Sequence, residues 1–205
     1  KVTDLIEHYL LMTPISSNNS LLHMLDQHTT VGKLWRREGG QVRCLACGHT
    51  CLLADGERGC CHLRFNCRGE LRVPFGYVAG IQADPIEKKP FFHVLPGATA
   101  LTFGMLGCNF HCDFCQNWTT SQSLRENTTA APMEPISASE VAAIARRYRV
   151  QVVVSSYNEP LISAEWASAI FDSVRTEGLV CAIVSNGHGS SEVVEFLAPR
   201  LDAVK

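Results

Sequence analysis

The sequence predicts an α/β protein: the first half of a parallel (β/α) barrel of TIM type, truncated, with a small cysteine-rich unit in front of it. After residue 100, strand-length apolar runs alternate with helix-length amphipathic segments, an order that folds as a parallel sheet with helical crossovers. Ten cysteines stand in 205 residues, and nine of them crowd into residues 44–67 and 108–115. Each completed strand of the second half is followed by thiols or polar side chains, where α/β folds keep their chemistry. Residues 1–33 read as an N-terminal extension, 34–77 as the cysteine-rich unit, 78–100 as a connector and 101–205 as the half-barrel.

Composition narrows the class. The chain is 46% hydrophobic and 19% charged, with a formal net charge of -2, so no electrostatic footprint points to nucleic acid or an anionic membrane. No run of 18 apolar residues would form a spanning helix. Asp4, Glu7 and His8 interrupt the apolar start and make it a poor signal peptide. Cysteines grouped at short spacings favour metal sites in a reducing compartment such as the cytoplasm over a secreted disulfide scaffold. The chain starts without Met, and its final RLDAVK reads as a strand just beginning, so a piece of a longer protein is expected.

Taken in order, Leu5, Ile6, Tyr9 and Leu10 suggest a weak helix ending at Pro14, followed by a polar linker over residues 16–20 and a second apolar segment. The next unit holds Cys44, Cys47, Cys51, Cys60, Cys61 and Cys67, with turns at Asp55-Gly56 and Arg68-Gly69. Its apolar content looks too low for a core of its own, so metal ligation is the expected source of order. The best ligand set is Cys44, Cys47, Cys51 and Cys61, for zinc or a second cluster, with His49 and His62 in reserve; purely structural thiols are the other reading. Pro85, Pro90 and Pro96 forbid a long helix in the connector, and residues 84–90 read as a solvated turn.

Strands are expected to begin at Leu101, Val150, Leu179 and Leu201. Ser137 with Glu140 forms a capping box ahead of Val141, Ile144, Ala145 and Tyr148. Ser163 caps a second helix bearing Trp166, Ile170, Phe171 and Val174, which closes at Gly178. Ser190 opens a third helix with Val193, Val194 and Leu197. The run VQVVVSS from Val150 is β-branched throughout its centre, as a buried parallel strand requires.

The chemistry gathers behind the first of these strands. Cys108, Cys112 and Cys115 stand at C-x3-C-x2-C spacing, which suits a tight loop around a soft metal better than one helix face. A structural zinc site wants four ligands, and His111 is the available fourth; three thiolates on a cubane cluster leave one iron open. Packing or disulfide cysteines are the remaining alternative. Phe110, Phe114 and Trp118 would wall such a centre or serve as core aromatics. The second strand ends in Asn158-Glu159-Pro160 and the third in Ser185-Asn186-Gly187. Buried there, Asn158 and Glu159 need partners: a ligand ammonium suits Glu159, and hydroxyls or a carboxylate suit Ser185, Asn186 and nearby amides. Alone, Asn-Glu-Pro would equally be a plain strand-to-helix turn.

The C-x3-C-x2-C loop after a first strand, with aromatic Phe114 beside the last cysteine, resembles the signature of the radical S-adenosylmethionine (radical SAM) superfamily. The C-x2-C-x3-C-x9-C head, the DPIEKKP-x3-H-x-LPG connector with His93 and the phrase GCN-x2-C-x-FCQNW together resemble the AmmeMemoRadiSam-system radical SAM enzymes, relatives of pyruvate formate-lyase activating enzymes. That likeness runs from about Gly32 to Lys205; Cys60 and Cys67 fall outside its head pattern. It implies a [4Fe-4S] cluster on Cys108, Cys112 and Cys115. It also implies S-adenosylmethionine held with the help of Phe114, Asn158, Glu159, Ser185, Asn186 and Gly187. A low-potential donor such as flavodoxin or ferredoxin and a protein or peptide substrate are the implied partners. The competing class is a zinc or iron–sulfur structural or electron-transfer module without S-adenosylmethionine chemistry.

Overall fold

The computed structural model describes residues 18–125 and 132–205. The helix expected around Leu5 lies outside them. The polar run at 16–20 is not a linker throughout, because helix α1 (Asn18–Gln27) already opens within it and buries Leu21 and Leu25.

Short strands follow: β1 (Thr29–Val31), β2 (Trp35–Glu38), β3 (Gln41–Cys44), β4 (Leu52–Leu53), β5 (Phe65–Cys67) and β6 (Glu70–Pro74). They form two antiparallel sheets, in the orders β2-β3-β4 and β1-β6-β5. The β2–β3 hairpin pairs Glu38 with Gln41 across Gly39-Gly40, both at positive φ, the backbone that two-residue hairpins demand. The unit has no separate core of its own, and its apolar residues join the main one. Leu34, Val42, Leu53, Leu63, Leu71 and Val73 are buried and continuous with the apolar residues of the main sheet and its helices.

One ion pair fastens the two parts. Arg64 donates to both carboxylate oxygens of Glu165 at 2.7 and 2.8 Å, with side chains only 1% and 3% exposed. Glu165 also accepts from the Lys33 amide at 3.0 Å, and Arg64 reaches the Ile162 carbonyl at 3.1 Å. Burial alone would push the Glu165 carboxyl up; the guanidinium against it overrides that and holds it below its ordinary value.

The remaining elements are β7 (Tyr77–Val78), β8 (Gly80–Pro85), β9 (Thr99–Gly104), α2 (Trp118–Ser121), β10 (Glu134–Pro135), α3 (Ala138–Arg147), β11 (Val152–Ser155), α4 (Ala164–Arg175), β12 (Val180–Ile183), α5 (Ser191–Leu197) and β13 (Ala203–Val204). The principal sheet runs β13-β12-β11-β9-β8. β9, β11, β12 and β13 are parallel neighbours in chain order, and β8 joins β9 antiparallel, which makes the sheet mixed. Part of the expected connector is therefore an edge strand. Pro85 is tolerated because it ends that strand, opposite Thr99.

Both faces of the sheet are covered, as period-two alternation of apolar residues requires. Leu101, Phe103, Val153, Cys181 and Ile183 pack with Val141, Trp166, Ile170 and Phe171 of the helices. Ala100, Val152, Val154 and Ala182 pack with Ile86 and Phe91, from the segment following β8. The DPIEKKP run is accordingly no solvated turn. Ile86 is fully buried, and Asp84 and Lys89 are nearly so, with Lys88 donating to Asp84 at 2.7 Å.

Helix starts follow the expected chemistry at two of three sites. Ser137 and Glu140 make the reciprocal capping box of α3, and the Ser190 hydroxyl accepts from the Val193 amide at the start of α5. Ser163 does not cap α4 through its side chain. A 3₁₀ turn, Pro160–Ser163, precedes that helix, and Ser163 donates instead to the Pro160 carbonyl.

Candidate metal and cofactor site

β9 ends at Gly104, and this residue has to be glycine. A Cβ there would stand 2.1 Å from the Ser156 carbonyl oxygen and 2.8 Å from the Tyr157 Cβ. The close approach lets the exits of β9 and β11 lie side by side, and Tyr157 adopts φ +71 as the chain turns away. Gly104→Ala is expected to cost ~1–3 kcal/mol by overpacking. A denaturant melt checks it, and an unshifted midpoint would remove the close approach from the account.

Beyond Gly104 the three motif cysteines lie on the loop leading to α2. All are half-buried and none is in a disulfide. The Phe110 amide donates to the Cys108 sulfur at 3.4 Å, and the Cys115 sulfur lies 3.2 Å from the Ser121 hydroxyl. Burial pushes the Cys108 thiol up, and the nearby Glu159 carboxylate adds to the rise. Among the described residues, no three Cys, His, Asp or Glu side chains stand close enough together to share one ion. A cubane distributes its three thiolates over three separate irons, so the loop's donor set fits a cluster better than a single zinc. Phe114 is 87% exposed and Trp118 48%, so neither is a core aromatic.

Facing the loop are the ends of β11 and β12. Glu159, only 3% exposed, accepts from the Leu161 amide at 3.0 Å, the Ser185 hydroxyl at 2.7 Å and the Asn186 amide at 2.8 Å. Burial raises its pKa against these donors, none of which is cationic. Asn158 is used internally. Its Oδ1 accepts from the Met105 amide at 3.0 Å and so ties the exit of β9 to that of β11. Gly187 presents its amide to the Ser185 hydroxyl at 3.0 Å.

Several participants escape sequence reasoning. Asn109, next to Cys108, accepts from the Asn186 amide nitrogen at 2.8 Å and links the cysteine loop to the β12 exit. Arg125 donates from one terminal nitrogen to the Cys60 carbonyl at 2.6 Å and the Cys108 carbonyl at 2.9 Å, and from the other to the Phe110 carbonyl at 3.0 Å. The cysteine-rich unit therefore abuts the loop of the three motif cysteines. His49 lies 3.1 Å from the Asn109 carbonyl, and its ring centroid is 4.7 Å from that of His188. Asn109 was the one with a signal, since it sits inside the cysteine phrase.

The predicted quartet of the cysteine-rich unit is not gathered as a set. Cys44 and Cys61 are turned into the core, and burial pushes both thiols up, Cys61 to about 11. The Cys60 thiol lowers Cys47 to about 5 and Cys51 to about 6, while Cys60 itself is pushed up.

Three thiols and a buried carboxylate thus stand at neighbouring strand exits of an α/β sheet. Residues 103–204, about half of the chain, match the Radical SAM superfamily, and the chain belongs to it. It is also 34% identical over 161 residues to an uncharacterized protein of Methanocaldococcus jannaschii, covering 78% of this chain and 47% of that relative. The chain thus spans about half the length of the curated relative it matches. Among the described residues no helix is long and apolar enough to cross a membrane.

Proposed function

We propose that this chain carries the cofactor-binding part of a radical SAM enzyme of the AmmeMemoRadiSam-system kind, its four parallel strands forming the first half of a barrel. Cys108, Cys112 and Cys115 would hold three irons of a [4Fe-4S] cluster. When bound, the cluster and S-adenosylmethionine supply reductive cleavage to methionine and a 5'-deoxyadenosyl radical able to take hydrogen from a substrate. The observation that carries this reading is the placement of the half-buried thiols opposite a buried carboxylate whose donors are all neutral.

In this reading Glu159 receives the α-ammonium of S-adenosylmethionine, which supplies the missing positive charge. Ser185, Asn186 and Gly187 order the carboxylate and offer polar groups to the rest of the cofactor. Phe114 contributes an exposed aromatic face beside the thiols. Asn158 positions the site by fixing two strand exits. The electron comes from a low-potential donor such as flavodoxin or ferredoxin, and the substrate is a protein or peptide, as for an activating enzyme.

Glu159→Gln is expected to keep fold and cluster while weakening S-adenosylmethionine binding by ~1–3 kcal/mol, the scale of an incomplete charge-assisted hydrogen bond. Titration of the reconstituted protein by calorimetry or cluster EPR measures it. Unchanged affinity would make Glu159 a turn residue and remove the main support for the cofactor assignment.

A further inference from the structure

We infer that the Lys89 ammonium, with the Tyr157 hydroxyl beside it, anchors the substrate by taking a carboxylate that the substrate carries. The role rests on the radical SAM reading; the chemistry of the group taken rests on the surroundings of Lys89 alone.

The sheet register fixes which face is involved. Asp84 stands opposite Ala100 and Gln82 opposite Thr102, so these residues share the face of Ala100, Val152, Val154 and Ala182, turned away from the helices. In a (β/α) half-barrel that face looks toward the barrel axis. The 3₁₀ turn Ile86–Lys88 packs on it through Ile86 and delivers Lys89. Gly104, in step with Ala100 and Thr102, leaves room there for Tyr157, whose Cβ lies 2.8 Å from where a Gly104 Cβ would be. Tyr157 immediately precedes Asn158 and Glu159, and its carbonyl accepts from the Thr120 hydroxyl of α2 at 3.3 Å. Through Tyr157, Lys89 reaches the edge of the candidate cofactor site.

Lys89 is short of partners. It is only 8% exposed, yet its three donor protons have one hydrogen bond, to the Tyr157 hydroxyl at 3.3 Å, with the ammonium 4.5 Å from that ring's centroid. The carboxylate within reach, Asp84, is 4.0 Å away and already accepts from Lys88 at 2.7 Å. Glu87 turns instead to the Gly97 amide, at 2.7 Å. Burial lowers the Lys89 pKa, a cost that an anion set against the ammonium would offset. Thr102 supplies a second, independent observation. Its hydroxyl is buried on the same face without a hydrogen-bond partner, a donor left over for a ligand oxygen. Two ammonium groups against the one carboxylate of Asp84 leave a single positive charge over, which matches a carboxylate better than a doubly charged phosphate.

The test is a titration of the full chain, its lysine carbons isotopically enriched, followed by NMR at the Lys89 Cε signal, which is assigned by its loss in Lys89→Gln. Two carboxylate probes are used: N-acetylaspartate α-amide, for an acidic side chain, and N-acetylglycine, for a chain terminus. At least one should shift the signal saturably, and the tighter of the two identifies the source of the carboxylate. N-acetylasparagine amide should leave the signal in place. In calorimetry of the same probe, Lys89→Gln should weaken binding by about tenfold, the scale of one charge-assisted hydrogen bond. The NMR readout on the unsubstituted protein does not depend on how that variant folds. No shift with either carboxylate, an equal shift with the asparagine probe, unchanged affinity in Lys89→Gln, or tighter binding of inorganic phosphate would each overturn the inference. These titrations involve neither cluster nor S-adenosylmethionine, so their failure is distinct from that of the cofactor reading, which Glu159→Gln tests.

Discussion

If the proposed function holds, alanine at any one of Cys108, Cys112 or Cys115 is expected to leave the protein folded but unable to assemble a cluster, with 5'-deoxyadenosine formation lost entirely. A cubane held by three protein thiolates has no spare ligand. The loop should keep its place, because Arg125, Gln122 and the Asn109–Asn186 contact hold it through groups other than sulfur. Anaerobic reconstitution followed by absorbance near 400 nm and EPR reads the outcome, with circular dichroism as the fold control. A normal cluster signal in one of the three variants would take that cysteine out of the ligand set.

The largest effect on stability is expected at the Arg64–Glu165 pair. Removing one partner, by Arg64→Met or Glu165→Gln, leaves the other without its charge partner inside the core and should cost ~3–5 kcal/mol. The double variant should recover a large part of that loss, because neither side chain then carries a charge to be desolvated. Denaturant melts of all three variants close the cycle; single variants within ~1 kcal/mol of the parent would show that the pair does not secure the joint. The pH dependence has a definite sign. The folded-state carboxyl of Glu165 is held below its ordinary value, so its contribution is present above the unfolded carboxylate pKa, about 4. It is lost as pH falls through the folded value, and the acid limb of stability should flatten in Glu165→Gln.

The parallel strands and their helices were readable because their signals are local. The β-branched run Val152–Val154, the Ser137–Glu140 capping box and the Ser190 cap each depend on residues a few positions apart. The cysteine loop was readable for the same reason. The burial of the cysteine-rich unit was not legible because its strands are two to five residues long and its apolar residues pack against distant partners in the main core. Nothing local in the sequence joins Arg64 to Glu165, 101 positions apart. The segment after β8 was read as solvated from its prolines and charges, yet Ile86 and Phe91 cover the face of the sheet that carries Ala100, Val152, Val154 and Ala182.

The acceptors that join the two cysteine loops through Arg125, at residues 60, 108 and 110, are all main-chain carbonyls. Their alignment is therefore insulated from whatever happens to the sulfurs. Metallation, alkylation, oxidation or outright replacement of Cys60 or Cys108 alters a side chain and leaves those carbonyl acceptors in being. Substituting either cysteine therefore removes no acceptor from the contact between the two loops.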